Sequence, residues 1–396
     1  MTKTVPPSRG PVRVLYSFPL KLGAGRVCWT AWQHVLGLDR AGAEVTAVIG
    51  SLAKQPPAGV RVKRTLSLGR YRLPYRLLGM RRTSMLHDWL TSKWLKRNAD
   101  KIDVVHVWPQ AGLRTIRVAR ELGIPVLTER PNAHTEFAYR VVGEECDRIS
   151  FSLPEGYEHK FDADCLALEE KEYDECDYIL CPSDFVATTF LDKGFAPEKL
   201  RHHHYGYDKT LVWPGSQNAE EGRGLVAIYV GLCTPRKGLH YILEAWKASE
   251  AGKTGRLIVC GGFVPGYREK LGALLEQPGV EVLGHRDDIP DLMRQADVFL
   301  LSSVEEGSAL VTYEARGSGC VLLVSEASGA KCRHGENALV HPVRDAQALA
   351  GHLDLLHRDR ALLAKMRAAS MESLDDLTWT AAGSTLLDIY RGVVKN

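Results

Sequence analysis

Short apolar runs separated by helical patterns recur along the whole chain, and no other feature constrains its fold as strongly. In the first half these runs are rich in β-branched residues and apolar on both faces, as parallel strands are when helices cover both sides of a sheet. They lie at residues 12–18, 45–49, 104–107, 126–128 and 178–181. The pattern restarts in the second half, at residues 225–231, 256–260, 280–283, 298–301 and 321–324. Two doubly wound α/β sheets are therefore predicted.

The length of the chain indicates how these sheets divide into domains. Its 396 residues exceed one ordinary domain and suit two. We predict a Rossmann-like N-terminal domain over residues 1–207, a linker over 208–222, a second Rossmann-like domain over 223–375, and a C-terminal helix over 376–396 that packs back toward the first domain. Ligands of open parallel sheets bind beyond the carboxyl ends of the strands, so two facing sheets would hold substrates in the cleft between them.

Composition excludes several classes of protein. The nine cysteines are scattered without a CxxC pair, which argues against a disulfide framework and against a zinc module. No apolar stretch is long enough to span a membrane, and residues 1–11 lack the apolar core of a secretion signal. The formal charge of +3 and the absence of a reading motif argue against nucleic acid as a partner. A cytoplasmic location is expected, with contact to the cytoplasmic membrane face left open.

The strongest functional signal follows the predicted strand at residues 298–301. Gly307 permits a sharp turn and a close approach of ligand to the backbone. A helix beginning near residue 308 would point its first N–H groups into the cleft and present partial positive charge to a phosphate. These N–H groups belong to Ser308, Ala309, Leu310 and Val311. Glu306 precedes the turn and could reach a sugar, while Glu314 could accept hydrogen bonds from both hydroxyls of a ribose.

A second signal follows the strand at residues 225–231. Arg236 and Lys237 lie at the carboxyl end of this strand, where the next helix opens. Two cations at this position could hold a diphosphate.

These two elements resemble the retaining GT-B glycosyltransferases of family 4, which carry a G-R-L-x-x-x-K-G element and an E-x7-E element. The second corresponds here to Glu306 and Glu314, and the first ends here with Lys237 and Gly238. The resemblance covers roughly the whole chain and is sharpest over residues 225–330. It implies that Lys237 binds the donor diphosphate, Glu306 the sugar hydroxyls and Glu314 the ribose. The family arginine falls at Leu232, and Arg236 is the predicted source of the missing charge.

The resemblance also implies where the nucleotide base lies. Gly284 and His285, followed by Arg286, should lie near the base, chiefly through backbone contacts. Solvated surface is the alternative for the side chains of His285 and Arg286.

The first half contains a second glycine-rich turn, which includes Gly23 and Gly25 and follows the strand at residues 12–18. It is a substrate-facing turn by position, and it resembles the glycine loop that meets the donor phosphates across the cleft in the same family. A tight turn without a ligand is the alternative. Family members also place a histidine near the donor sugar; His134 is the candidate here, with Glu129 and Arg130 as rivals.

Taken together, these residues predict a retaining transferase that moves a sugar from a nucleoside-diphosphate sugar, most simply a UDP-sugar, to an acceptor hydroxyl. The acceptor is a glycan, a lipid-linked oligosaccharide or a small molecule. Catalysis by positioning and charge stabilisation needs no protein nucleophile. We predict no cofactor and no metal ion; the run 202–204 of three adjacent histidines does not converge on one ion. An epimerase or a phosphorylase of the same fold, or a degenerate nucleotide-sugar-binding protein, is the alternative.

Charge is distributed unevenly along the first half. Residues 61–97 carry eleven basic residues and one acidic residue, Asp88, with tyrosines and tryptophans between them, whereas residues 144–177 are strongly acidic. The basic stretch could rest on an anionic membrane surface or bind an acidic acceptor. A solvated basic face is the alternative.

Overall fold

The computed structural model describes residues 10–68, 71–72, 79–215 and 223–394. Residues 69–70 and 73–78 of the basic stretch, which include Arg70 and Arg76, lie outside the described residues, as do residues 216–222 of the predicted linker.

The strands divide between the two halves of the chain. They are β1 (Arg13–Leu22), β2 (Glu44–Leu52), β3 (Arg61–Arg64), β4 (Ser67–Leu68), β5 (Tyr71–Arg72), β6 (Val104–Val107), β7 (Val126–Glu129), β8 (Tyr178–Cys181), β9 (Leu200–His202), β10 (Val226–Val230), β11 (Arg256–Cys260), β12 (Val280–Gly284), β13 (Val298–Leu301), β14 (Val321–Ser325) and β15 (Ala338–His341).

Helices alternate with these strands. They are α1 (Val27–Arg40), α2 (Met80–Arg97), α3 (Leu113–Glu121), α4 (Thr135–Arg148), α5 (Ala163–Glu175), α6 (Asp184–Leu191), α7 (Leu239–Ala248), α8 (Ala251–Thr254), α9 (Tyr267–Leu271), α10 (Ile289–Gln295), α11 (Leu310–Gly317), α12 (Ala346–Arg358), α13 (Arg360–Met371) and α14 (Trp379–Val394).

Two parallel sheets organise the molecule. The first has the order β3-β2-β1-β6-β7-β8-β9 and the second the order β12-β11-β10-β13-β14-β15. Val14, Leu15 and Tyr16 of β1 are all fully buried, although consecutive side chains of a strand point to opposite faces. Helices therefore cover both faces, and the prediction of two doubly wound sheets is confirmed.

Strand β1 differs from the prediction at its carboxyl end. It continues through Pro19 to Leu22, and its register against β2 shifts between Phe18 and Lys21. Gly50 on β2 makes this possible, because a Cβ there would lie 2.0 Å from the Pro19 carbonyl oxygen. The glycine-rich turn is therefore shorter than the sequence indicates and begins at Gly23.

The C-terminal helix α14 packs on the first half of the chain. Gly383 of α14 lies so close to Gly37 of α1 that a Cβ on Gly37 would be 2.8 Å from the Gly383 Cα. Just before α14 the chain runs beside an earlier segment, where Tyr207 donates its N–H to Leu377 O at 2.9 Å and Trp379 donates to Tyr207 O at 3.2 Å. The chain thus crosses between the sheets twice, at adjacent places.

No described helix combines the length and the apolar character that crossing a bilayer requires.

Candidate functional site

The order of the second sheet brings the two sequence elements together. Strand β10 lies between β11 and β13, so the chain leaves the sheet in opposite directions from β10 and β13. Ligands of doubly wound sheets bind at such a switch point. The turn containing Lys237 follows β10 and the turn containing Glu306 follows β13. Neighbouring strands therefore place these two turns side by side.

Local hydrogen bonds fix the turn after β10. Residues Pro235–Lys237 form one turn of 3-10 helix, which the Thr234 side chain caps by accepting from the Lys237 N–H. Gly238 follows with φ +65°, and a Cβ there would lie 1.9 Å from Ser302 O. The N–H of Val304 donates to Arg236 O at 2.9 Å, which ties the two turns to each other.

Two cations and two carboxylates meet where these turns touch. Lys237 Nζ forms an ion pair with Glu306 Oε1, and Arg236 Nη1 lies 3.3 Å from the same oxygen. Arg236 Nη1 also donates to the carbonyl oxygen and to Oε2 of Glu305, at 2.9 and 3.0 Å. The Lys237 side chain is 15% exposed and that of Arg236 is 9% exposed. Lys237 is thus the cation of the pair with more access to solvent.

Burial and ion pairing shift the pKa values of Arg236 and Lys237 in opposite directions. Burial disfavours the charged form of Arg236, but the carboxylates of Glu306 and Glu305 outweigh this effect and raise its pKa above the ordinary arginine value. Burial also lowers the pKa of Lys237, although Glu306 opposes that shift. Arg236 is consequently a fixed charge that orients both acids.

Glu305 joins the two halves of the molecule, a role that the sequence did not reveal. Its Oε1 accepts from the Ala133 N–H at 2.9 Å, and its Oε2 lies 3.2 Å from His159 Nε2. Burial raises the pKa of this carboxyl, but the hydrogen bond from His159 and the charge of Arg236 prevail and hold it well below its usual range. The buried carboxylate is thus held from both domains.

A second carboxylate also bridges the halves. Glu145 of α4 accepts from His240 Nε2 at 2.9 Å and from the Tyr241 hydroxyl at 2.6 Å, and its Oε2 accepts from Arg344 Nε at 2.7 Å. Burial raises the pKa of Glu145, but these hydrogen bonds outweigh burial and lower it to about 2. Helix α4 therefore docks on the second sheet's domain.

Gly307 is needed for close contact between the halves. A Cβ on Gly307 would lie 1.7 Å from Pro131 O, and Gly307 O accepts a hydrogen bond from Ser183 Oγ at 2.5 Å. Its φ is not in the left-handed region, so the requirement for glycine comes from the approach of the neighbouring backbone. The turn after β13 thus contacts the first domain.

We expect Gly307→Ala to lower the free energy of unfolding by about 1–3 kcal/mol, because the added methyl group overlaps a backbone oxygen. Urea unfolding measures this, and small-angle scattering shows whether the domains separate. Gly351→Ala on α12 is the matched control, since no atom lies within 4 Å of the added Cβ. A Gly307→Ala protein as stable as the control would contradict the expectation.

Helix α11 begins two residues later than predicted. Its first residue is Leu310 and its N-cap is Ala309, whose N–H donates to Ser328 O at 3.3 Å. The Ser308 hydroxyl is engaged by the Tyr313 hydroxyl at 2.8 Å and by Gly329 O at 3.0 Å. Ser308 and Ala309 therefore build the turn, while the helix N-terminus proper starts at Leu310 and Val311.

An open cavity lies between the glycine turn of the first domain and α11 of the second. Its volume is about 470 Å³, and it is lined by Gly23, Ala24, Gly25, Arg26, Trp29, Lys54, Leu310 and Glu314. The two glycines from the first half of the chain and the acid from the second half thus face the same space.

Glu314 is the acid of this cavity. Burial against the surrounding protein raises its pKa to about 7, and no charged neighbour contributes to that shift. Such a carboxyl changes charge near neutral pH and gains from ligand hydroxyls that donate to its ionised form.

The cations of the cavity are residues that the sequence did not single out. Arg26 follows the predicted glycines and has φ 58°, a left-handed conformation that is unfavourable for a side-chain-bearing residue. Lys54 lies over the Trp29 ring at 4.3 Å. Within the described chain, neither cation has a carboxylate partner at ion-pair distance. The glycine-rich turn in the sequence could have pointed to Arg26, which follows it. No sequence pattern pointed to Lys54 or Trp29.

His134 is engaged by neighbours within the first domain. Its Nδ1 accepts from the Glu136 N–H at 3.3 Å and so caps α4. Its ring packs on Tyr173 and Phe190, with centroids 5.3 and 5.0 Å apart. Burial, followed by the charge of Arg130, lowers the pKa of His134 to about 4. The structure thus gives His134 a packing and capping role, and His159 is the histidine that reaches the charged cluster.

The rivals of His134 and the predicted base contacts also have clear positions. Arg130 donates to Glu169 and to Ala133 O inside the first domain. Gly284 ends β12 with φ 67°, and its carbonyl oxygen accepts from the Gly261 N–H. The His285 side chain is 88% exposed, so it is available only at the surface. Arg286 pairs with Asp288.

Two family profiles match most of the chain. Residues 224–359 match the family described as glycosyl transferases group 1, and residues 29–211 match the one described as glycosyltransferase family 4. Each matched region contributes residues to the cavity: Trp29 and Lys54 come from 29–211, and Leu310 and Glu314 from 224–359.

Individual relatives are distant. A D-inositol 3-phosphate glycosyltransferase of Corynebacterium glutamicum is 25% identical over 222 residues, which cover 50% of this chain and 53% of the relative. An N,N'-diacetylbacillosaminyl-diphospho-undecaprenol alpha-1,3-N-acetylgalactosaminyltransferase of Campylobacter jejuni is 29% identical over 127 residues, covering 31% and 33% of the two chains. These alignments span about half, or less, of the length of the relatives.

Solved structures share the fold over nearly the full length. The sucrose-phosphate synthase of Thermosynechococcus elongatus has a TM-score of 0.72 and 18% identity, covering 98% of this chain and 100% of its own. Anabaena HepE in complex with UDP-glucose has a TM-score of 0.63 and 14% identity, covering 96% and 99%.

Proposed function

We propose that this chain, which belongs to the glycosyltransferases of group 1, transfers a sugar from a UDP-sugar to an acceptor hydroxyl with retention of configuration. The observation that carries this proposal is the cleft, where Glu314 of one domain and Arg26 and Lys54 of the other line one cavity, and none of the three has an oppositely charged partner among the described residues. Glu306 of the Lys237–Glu306 pair precedes α11, the helix that contributes Leu310 and Glu314 to this cavity. An acid and nearby cations suit the ribose and the diphosphate of one nucleotide. Anabaena HepE, of the same fold, was solved with UDP-glucose.

The charges in the cluster suggest how the diphosphate is held. Lys237 and Arg236 are balanced by Glu305 and Glu306, so this cluster has little net charge. Arg26 and Lys54 add two positive charges on the side of the cavity that the first domain forms. Arg26 would therefore supply the positive charge that the family arginine, replaced here by Leu232, would otherwise provide. Lys237 would turn from Glu306 to the phosphate when the donor binds.

The chemistry is then positioning and charge stabilisation. Glu306 is buried between two cations, an environment that suits a hydrogen-bond acceptor for sugar hydroxyls better than an attacking nucleophile. The acceptor hydroxyl would attack the anomeric carbon on the face from which the diphosphate leaves, and the departing phosphate oxygen would take its proton. Cations already in place stabilise that charge without a divalent ion, so we propose catalysis without metal or cofactor.

We expect UDP to stabilise the protein against thermal unfolding, by roughly 2.7 kcal/mol when its concentration is 100 times the dissociation constant. Differential scanning fluorimetry against a panel of nucleotides and nucleotide sugars tests this and identifies the base and sugar. Arg26→Ala should give a smaller shift at equal UDP, whereas the exposed control Arg97→Ala should match wild type. No shift with any nucleotide, or an identical shift for Arg26→Ala, would contradict the proposed site.

The raised pKa of Glu314 predicts a pH-dependent affinity. The carboxyl is protonated below about pH 7 and ionised above it, and ribose hydroxyls donate to the ionised form. We therefore expect UDP to bind more tightly at pH 8 than at pH 6, as measured by isothermal titration calorimetry. UDP itself titrates near pH 6, so the comparison is with Glu314→Gln, in which the pH dependence should shrink to that of the ligand. Equal pH dependence in both proteins would contradict a role for Glu314.

The exposed surface of helix α2 favours contact between the acceptor side of the molecule and a membrane. Its buried face is polar: His87 lies between the hydroxyls of Ser17 and Thr65, and Asp88 accepts from the N–H groups that open α3. Its exposed face carries Met85 and Trp89, which are 48% and 42% exposed, among lysines and arginines. Apolar residues flanked by bases favour the surface of an anionic bilayer.

We therefore propose that α2 places the enzyme on the cytoplasmic membrane face, near a lipid-linked or glycolipid acceptor. Co-sedimentation with phosphatidylglycerol vesicles should detect binding that weakens with salt and is absent with phosphatidylcholine alone. Trp89→Glu with Met85→Glu should abolish it, and Glu155→Gln, at a 91% exposed side chain, should leave it unchanged. Equal sedimentation of the double variant would rule out this surface.

A further inference from the structure

A buried cluster of histidines and one glutamate lies inside the first domain and shares no residue with the lining of the cavity. His34 of α1, His106 of β6 and Glu129 of β7 are at most 1% exposed, and His203, which follows β9, is 6% exposed. They come from four separate elements and meet between the sheet and the helices α1 and α14.

Hydrogen bonds within the protein leave this cluster unsatisfied. His34 Nε2, His106 Nε2, Glu129 Oε2 and both ring nitrogens of His203 have no hydrogen-bond partner that meets normal geometry. Tyr205 donates its hydroxyl to Glu129 Oε1 at 2.8 Å, but within the described chain the ion-pair contacts of Glu129 are to histidines alone. Buried polar atoms without partners are costly, and a buried carboxylate more so.

The free atoms of three of these residues lie close enough together to share one ion. One ligand atom from each of His34, His106 and Glu129 lies within 4.8 Å of the other two. His106 Nε2 is 3.5 Å from Glu129 Oε2, and His203 Nε2 is 3.2 Å from Glu129 Oε1. Bonds of about 2.0–2.1 Å in a tetrahedral zinc site place ligand atoms roughly 3.3 Å apart.

In His34 and His106 the second ring nitrogen, Nδ1, contacts a tyrosine hydroxyl. His34 Nδ1 lies 3.2 Å from the Tyr16 hydroxyl, which also accepts from Trp108 Nε1 at 2.8 Å. His106 Nδ1 lies 2.6 Å from the Tyr390 hydroxyl on α14. In both rings Nε2 is therefore the nitrogen that faces the cluster, and hydrogen bonds of this kind orient metal-binding histidines.

We propose that His34, His106 and Glu129 bind a divalent transition-metal ion, Zn²⁺ being the expected one, with His203 beside the other carboxylate oxygen of Glu129. Imidazole and carboxylate ligands select zinc over magnesium, which prefers oxygen ligands. The site is closed to solvent, so its role is structural. It joins α1, two central strands and the segment after β9, and through Tyr390 it reaches α14. This ion is separate from the transfer reaction, which is proposed to proceed without metal.

Elemental analysis of protein purified without a polyhistidine tag or chelator tests the site directly. We expect about one zinc ion per chain. Replacement by Co²⁺ should give the visible absorption of a tetrahedral nitrogen and oxygen site, and a strong chelator should lower the melting temperature. Protein that contains no metal and neither binds nor is stabilised by added Zn²⁺ would overturn the proposal and leave ordered water as the partner of these atoms.

Variants distinguish this site from adventitious binding. His34→Gln should lose the zinc while remaining folded by circular dichroism, and Tyr390→Phe should weaken zinc affinity about 10–100-fold. His202→Gln is the matched control, because His202 neighbours His203 but is 55% exposed and pairs with Asp184 instead. Zinc retained by His34→Gln, or lost equally from His202→Gln, would overturn the assignment. If His34→Gln fails to fold, the wild-type metal content and Tyr390→Phe decide the question.

Discussion

Lys237→Ala should lower kcat by about 10²–10³, the cost of removing one preorganised donor of charge stabilisation, or roughly 2.7–4 kcal/mol. Lys237 is the more exposed cation of the cluster, and its partner Glu306 retains Arg236 at 3.3 Å after the change. The acid is therefore not left as an isolated buried charge, and the fold should survive. Initial rates of UDP-sugar turnover, measured with saturating donor, give the effect on kcat.

Two controls separate catalysis from stability. Lys253→Ala removes an exposed lysine of the same domain whose ion pair is with the nearby Glu250, and it should leave kcat unchanged. Lys237→Arg keeps the positive charge but replaces a compact ammonium by a planar guanidinium. Its kcat should therefore lie between those of the wild type and of Lys237→Ala. Unchanged turnover in a folded Lys237→Ala protein would remove this residue from the mechanism.

The contact between Lys237 and Glu306 could be anticipated because it depends on one sheet. Both residues follow strands of the second half, and the βαβ pattern makes the first and fourth strands of that half neighbours. The resemblance to group 1 glycosyltransferases is confirmed by the two family profiles, and the two-sheet fold is confirmed by the strand order. Both could be predicted because strand periodicity and two short motifs can be read from the sequence.

Residues contributed across the cleft could not be anticipated in the same way. Lys54 and His159 reach the site only because the two domains face each other in one particular orientation, and no local pattern encodes that orientation. His134 is a different case. Its position after a strand suggested the cleft, and in the structure it also satisfies a backbone N–H at a helix N-terminus and packs among aromatic rings, which no local pattern indicated.

Arg236 illustrates how burial changes an interpretation. The sequence indicated a second phosphate-binding cation beside Lys237. In the structure its guanidinium is committed to Glu305 and Glu306, and its charge is neutralised there. Among the described residues, the cavity cations without a carboxylate partner are Arg26 and Lys54, so a count of cations in a motif does not predict which of them remain available.

Glu305→Ala should be the most destabilising single change in the cleft, by about 3–5 kcal/mol, because it removes one side of a buried charged pair. The change leaves the Ala133 N–H and His159 without their acceptor and deprives Arg236 of one of its two carboxylates. These groups lie on both domains, so the interface between the domains loses its central hydrogen-bonded contact. Urea unfolding, followed by tryptophan fluorescence, measures the loss.

The pH dependence of the free energy of unfolding tests whether the charge of Glu305 is the cause of its stabilising effect. The pKa of Glu305 lies below its ordinary value in the folded protein, so its contribution to stability is present above about pH 4.3, the unfolded value, and is lost as pH falls through the folded value. Glu305→Gln keeps the shape without the charge, and its deficit relative to wild type should shrink in acid. Glu155→Ala, an exposed acid of the same chain, should be neutral at every pH. If Glu305→Ala differs from this control by less than about 0.5 kcal/mol, the bridge between the domains is not what holds the cleft together.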